Sequence, residues 1–328
     1  MNRRQFSLRT VSLLLGAGIA LPSGSSSAET TPKAARIGFV APQGRSLPMF
    51  DAFREGLAEL GYVEGKNVVI EARFAEGQYE RLPQLFSELT ALKVDIIAVT
   101  GAVTARAAMK VVNGVPIVFA VVVDPVADQV VSNMDRPGGN ITGTTSFDPL
   151  QPKKQLELLK EVIPGIKRVA ILGDQGVSPA LINASEAQAT AMGLEVLPIR
   201  VSSTNPPLEN VFATLHNSRT GALIILEEPV VGVLANRIAG LAAKDRLPTL
   251  FAPSRVAAGG LIAYGTSQVQ SVRRMAGYVD KILRGSLPGD LPVERVTTYE
   301  LFINAKTARE IGVVIPPGVL QRADRVIQ

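Results

Sequence analysis

Arg136-Pro137-Gly138-Gly139-Asn140-Ile141-Thr142-Gly143-Thr144-Thr145-Ser146 is the stretch on which the reading of this chain turns. It holds three glycines and a proline and almost nothing able to fill a core. Glycine adopts backbone angles that other residues avoid, and proline fixes φ and lacks an N–H. The segment is therefore not regular helix or strand throughout. On either side lies the same kind of sequence: an apolar strand-like run, a helical stretch, then another strand-like run. A flexible connector between two similar α/β halves implies two lobes with a cleft between them. The alternative is an ordinary surface loop in one large domain.

Working outward toward the N-terminus, the pattern predicts a strand at 36–40 and a helix over 49–60, with Phe50, Phe53, Leu57 and Leu60 at helical spacing and a stop at Gly61. A half-wet strand at 68–74, a helix at 82–92, a buried strand at 95–100, a helix at 101–112 and a buried strand at 116–123 follow. Toward the C-terminus the series restarts: helix 153–162, strand 168–172, helix 179–192, strand 195–201, helix 208–217, strand 222–226, helix 233–244 and strand 247–251. The order strand 95–100, helix, strand 115–120 repeats as 222–227, helix, 247–252. The strand at 261–265 reads as a second crossing between lobes, 268–283 as a helix, 291–303 as a strand-rich return crossing, and 305–311 as a last helix before a Pro316-Pro317-Gly318 turn and a tail. The expected division is 34–144 plus 266–290 for one lobe and 145–265 plus 291–328 for the other, an α/β fold with two Rossmann-like parallel sheets.

At 328 residues, two domains of ordinary size are the prior. Apolar content is 46% and charged content 19%, a globular and not a disordered composition. The formal charge of +5 includes Arg3, Arg4 and Arg9, so 31 basic residues face 29 acidic ones beyond residue 28. That balance provides no basic patch for nucleic acid. No cysteine is present, which excludes disulfides and thiolate chemistry; a single histidine, His216, excludes His-rich metal sites and argues against a Ser-His-Asp triad. No cofactor, no metal and no enzymatic activity are expected.

Residues 1–28 read as an export signal: arginines first, an apolar run from Val11 to Leu21, then small residues ending at Ser26-Ser27-Ala28. The run is shorter than the ~20 residues that span a bilayer. Asn2-Arg3-Arg4-Gln5-Phe6-Ser7-Leu8 resembles a twin-arginine signal, departing from it before the arginines and after the phenylalanine. The expectation is a periplasmic protein cleaved after about Ala28, the alternative an uncleaved anchor.

In open α/β sheets ligands bind beyond the carboxyl ends of the strands. The rule selects Gln43 and Ser46 after the first strand, Thr100 and Ala102 at a strand-to-helix turn, and Val122 after the fourth strand. In the second half it selects Asp174, Glu227, Glu228 and Ser254, with Thr145 and Tyr264 on the connecting segments. Free N–H groups at Thr100-Gly101-Ala102 suit a carboxylate, with Thr100 as donor or merely as helix cap. Glu227 or Glu228 suits a ligand ammonium, or is a solvated charge at a helix start. Asp174 and Asp124 read mainly as caps, and Tyr264 either stacks on a ligand ring or closes the hinge.

Phe53-Arg54-Glu55-Gly56-Leu57-Ala58-Glu59-Leu60-Gly61-Tyr62-Val63-Glu64-Gly65, Asp124-Pro125-Val126, Arg136 to Gly143, Ala258-Gly259-Gly260-Leu261 with Tyr264-Gly265, and Tyr278 to Gly285 together resemble the ABC transporter substrate-binding protein family with the type I periplasmic-binding-protein fold. The resemblance covers nearly the whole chain beyond the signal. It implies two lobes joined by three crossings, a small amino-acid-like ligand, aromatic ones included, held in the cleft, and an ABC permease as partner to a monomer. The rivals are a sensory module sharing the same cleft, a two-lobe enzyme, and a ligand-controlled repressor.

Overall fold

Every side chain of Ile96-Ile97-Ala98-Val99-Thr100 is buried, as a near-continuous apolar run in a parallel sheet covered on both faces requires. The computed structural model describes residues 34–42, 44, 48–146, 148–175, 179–202 and 205–328, and there this run forms β3 (Ile96–Thr100). The expected export signal and the candidates Gln43 and Ser46 lie outside the described residues. β3 pairs in parallel with β1 (Ala35–Ala41) and β4 (Ile117–Val122); β2 (Val68–Phe74) lies beyond β1 and β5 (Ile141–Thr145) beyond β4. Among the described residues a two-residue strand, β11 (Glu294–Arg295), completes six strands in the order β11-β5-β4-β3-β1-β2.

The second sheet holds β6 (Arg168–Asp174), β7 (Glu195–Val201), β8 (Ala222–Ile225), β9 (Thr249–Phe251), β10 (Ile262–Thr266), β12 (Tyr299–Asn304) and β13 (Arg325–Ile327). Its order is β13-β12-β10-β9-β8-β6-β7, parallel except that β12 runs against β10. The runs β2-β1-β3-β4-β5 and β7-β6-β8-β9-β10 share one topology, so the two halves are built alike.

Helices cover both sheets: α1 (Pro48–Glu59), α2 (Leu82–Ala91) and α3 (Ala102–Val111) in the first half, α4 (Gln151–Val162), α5 (Ala180–Ala191), α6 (Leu208–Asn217), α7 (Pro229–Val233) and α8 (Ala235–Lys244) in the second. Phe50, Phe53 and Leu57 of α1 are buried, whereas Leu60 falls past the helix end and is 39% exposed. α9 (Gln268–Leu283) returns to the first sheet and packs along α1 through Val272, Met275, Ala276 and Val279. Burying each of the larger of these is worth about 1.5–3 kcal/mol. After α10 (Ala305–Ile311), the expected turn and tail are instead a short helix, α11 (Pro317–Arg322), and β13, whose pairing with β12 fixes the C-terminus.

The glycine-rich stretch itself departs from the expectation of a loose connector. Gly138 and Gly139 have positive φ, 71° and 63°, and make the turn, but Ile141–Thr145 is a fully buried strand. A side chain at Gly143 is excluded by packing: its Cβ would lie 2.0 Å from the Phe119 carbonyl oxygen of β4. The chain crosses between sheets after Thr145, after Thr266 and after Arg295. The crossings lie side by side: Thr266 Oγ1 donates to Ser146 O at 3.4 Å, Ser267 N to Thr298 O at 2.9 Å, and Val296 N to Thr145 O at 2.9 Å. Ser267 also caps α9, accepting from Gln270 N at 3.2 Å, while its hydroxyl donates to Glu300 Oε1 at 2.7 Å.

Candidate functional site

Each sheet reverses its strand order once, between β1 and β3 and between β6 and β8. At such a point the loops leave in opposite directions and open a crevice beyond the carboxyl ends of the strands. In the first sheet the crevice is bounded by Pro42 and Gly101; a Cβ on Gly101 would lie 3.9 Å from Pro42 Cγ. In the second it is bounded by Asp174 and by Leu226-Glu227-Glu228.

Gly101, at φ 83°, is the N-cap of α3 and has no side chain to cap it. Thr100 therefore does not act as the cap. Its hydroxyl is buried, with the residue 2% exposed, and has no hydrogen-bond partner. Thr104, one turn on and 0% exposed, has an equally unpartnered hydroxyl. Ala102 opens the helix, where first-turn N–H groups lack intrahelical acceptors and the helix dipole is positive. This end of the first sheet is a set of donors.

The facing end of the second sheet is acidic. Glu228, 7% exposed, accepts a hydrogen bond from Asp174 N through Oε2. Burial pushes its carboxyl up from 4.5 to about 7; the neighbouring Asp174 and Asp128 charges add to the rise, and the Asp174 N–H and Arg200 oppose it. Asp174 Oδ1 accepts from Val231 N at 2.9 Å, in α7 and not in the helix that follows its own strand, and its carbonyl takes Arg200 Nη2 at 2.7 Å. Glu227 is half-buried and accepts from the Ser254 hydroxyl; burial raises its pKa, against the Ser254 bond, Arg255 and Gln268.

Groups from the first half face these acids. The Tyr79 phenol is raised by burial and by the Asp174 charge, with Arg255 opposing. Asp128 is raised by burial, and its carboxylate takes Arg106 Nη1 at 3.4 Å. Between the halves, a cavity of ≈ 30 Å³ is lined by Val123, Ser146, Gln151, Glu227, Pro253 and Thr266. That is room for about one or two waters.

The side chains of the remaining candidates are engaged within the protein. Val122 is fully buried within the core of the first sheet. Thr145 Oγ1 donates to Val122 O at 2.7 Å and Val123 O at 2.9 Å, tying β5 to β4. The Tyr264 ring is stacked on Tyr299 at 5.5 Å and 13°, which gives it a protein partner. Asp124 accepts from Val126 N and Ala127 N, capping the turn that follows it. His216 is exposed on α6. Sequence reasoning missed Tyr79, Asp128 and Arg255; Arg255 directly follows a selected residue, and no local pattern marks the other two. Among the described residues no group of three or more His, Asp or Glu is placed to hold a metal, and no helix is long and apolar enough to cross a membrane.

The chain is 24% identical over 267 residues to a tyrosine-binding protein of Clostridioides difficile, a match covering 79% of this chain and 75% of that one. It is 26% identical to an ABC domain from Streptococcus pneumonia solved in complex with L-Trp, with a TM-score of 0.81 over 90% of this chain and all of that one. A ligand-free, open substrate-binding protein with adhesive properties from Clostridium difficile is similar at 22% identity and a TM-score of 0.70, again over 90% of this chain and all of that one. A leucine-binding protein from Thermotoga maritima shares the fold at 17% identity, with a TM-score of 0.54 over 78% of each chain. Residues 39–327 match the ABC transporter substrate-binding protein family, and with its two similar sheets in the type I periplasmic-binding-protein arrangement, this chain belongs to that family.

Proposed function

We propose that this protein is an exported receptor that closes two lobes, 34–144 plus 266–290 and 145–265 plus 291–328, on an amino-acid-like ligand with an aromatic side chain and delivers it to an ABC permease. One observation carries the reading. Donors at the α3 end, with two unpartnered buried threonine hydroxyls, and the acids Asp174 and Glu228 occupy the strand-order reversals of the two sheets. A carboxylate suits the first and an ammonium the second. A ligand that touches both sets only when the lobes are shut shifts the population toward the shut state. The tyrosine- and tryptophan-binding relatives support the aromatic class. Titration calorimetry with L-tryptophan, L-tyrosine and benzoate, paired with small-angle X-ray scattering, tests it. Heat of binding and a smaller radius of gyration with an aromatic amino acid are expected; no binding by any of the three refutes the reading.

A further inference from the structure

We propose that Arg255 is a ligand-binding residue that takes an oxygen of the ligand carboxylate from the second-sheet side of the cleft; the proposal rests on the receptor reading above. Arg255 stands in the helical turn Pro253–Ala258, just past the carboxyl end of β9 and next to Ser254, whose hydroxyl holds Glu227. Its guanidinium lies against the backbone of α7. A Cβ on Gly232 would come within 2.7 Å of Nη2, 3.2 Å of Cζ and 3.3 Å of Nε, so a side chain there would displace the guanidinium from this position.

Nε is buried and has no acceptor, and Arg255 forms no ion pair among the described residues. Burying a charged donor without an acceptor is costly, and such groups are normally satisfied by a partner. Gly232, against which the guanidinium packs, adjoins Val231, whose N–H donates to Asp174, so the group stands by the acidic end of the second sheet; its charge is felt by Glu227 and by Tyr79 of the first half. A guanidinium with an unfilled donor position matches a planar carboxylate, one oxygen of which is left for the donors at α3. A packing role alone would use the stem and the Gly232 contact and would be indifferent to the ligand's charge.

The test is a thermodynamic cycle by calorimetry: L-tryptophan and L-tryptophanamide against the full-length wild type, Arg255→Gln and Arg255→Lys. Losing a charge-assisted contact predicts that Arg255→Gln weakens L-tryptophan by about 10- to 100-fold and changes L-tryptophanamide by less than about twofold. Arg255→Lys retains the charge without the fork and recovers part of the loss; it also reads the cycle should the glutamine variant not fold. Equal losses for both ligands assign Arg255 to packing and overturn the proposal, as do unchanged affinities in both variants. A wild type that binds neither ligand overturns the receptor reading and this proposal with it.

Discussion

Replacing Glu228 with glutamine isolates a carboxyl at the cleft that burial raises to about 7. Its folded-state pKa of about 7 lies above the 4.5 of an unperturbed glutamate, so the folded protein keeps a proton that the unfolded chain releases. The stabilisation is complete below about pH 4.5 and is lost as pH rises through 7, where the buried group must ionise. The gap of about 2.5 pH units, at about 1.36 kcal/mol each, is worth about 3 kcal/mol. Glutamine keeps an oxygen for the Asp174 N–H and never ionises. About 300 folded residues carry an unfolding entropy near 0.6 kcal/mol/K, so 3 kcal/mol is a Tm difference of about 5 °C. Calorimetric melts of the ligand-free protein from pH 5 to 8.5 should therefore show the wild type falling relative to Glu228→Gln, with the variant about 5 °C higher at the alkaline end. A difference that stays constant across that range would refute the assignment of the buried proton to Glu228.

Gly143→Ala should cost about 3 kcal/mol or more, because the new methyl meets the rigid Phe119 backbone at 2.0 Å. Gly277→Ala, inside α9 with nothing within 4 Å of the added carbon, should instead stabilise by about 0.5–1 kcal/mol; urea unfolding of the pair reads both signs. Ser267→Ala removes the α9 cap and the Glu300 contact together, and thermal melts should show a loss of about 1 kcal/mol.

The sequence was legible where one side-chain pattern decides one element. Buried runs such as Ile96–Thr100 and Ala222–Ile225 became the inner strands, and the repeat of strand, helix and strand announced the shared topology of the sheets. β5 was not legible, because Ile141-Thr142-Gly143-Thr144-Thr145 owes its place to the close passage of the Phe119 backbone and to hydroxyl bonds with Val122 and Val123, which no propensity records. The short α7 and α11 escaped for a similar reason: each is too brief to show a period. At the site, the strand-end rule led to Thr100, Asp174 and Glu228, which the fold sets at the two reversals. It also selected Val122 and Tyr264, whose side chains are engaged with the core and with Tyr299, since position along a strand does not say which way a side chain points. Tyr79 follows a strand end that the rule did not select and Asp128 stands six residues beyond Val122, and only the three-dimensional approach of the halves brings them to the acids.

The late arrival of α9 and β11 has a consequence for biogenesis. The first sheet draws its covering helix from residues 268–283 and its outermost strand from Glu294–Arg295, in a chain of 328. A ribosome must therefore deliver the chain past Arg295 before the amino-terminal half can assemble its full complement of parts. No single cut yields either half as an independent fragment, and a nascent chain stalled at the glycine-rich stretch would expose the bare flank of α1 to whatever chaperone reaches it first.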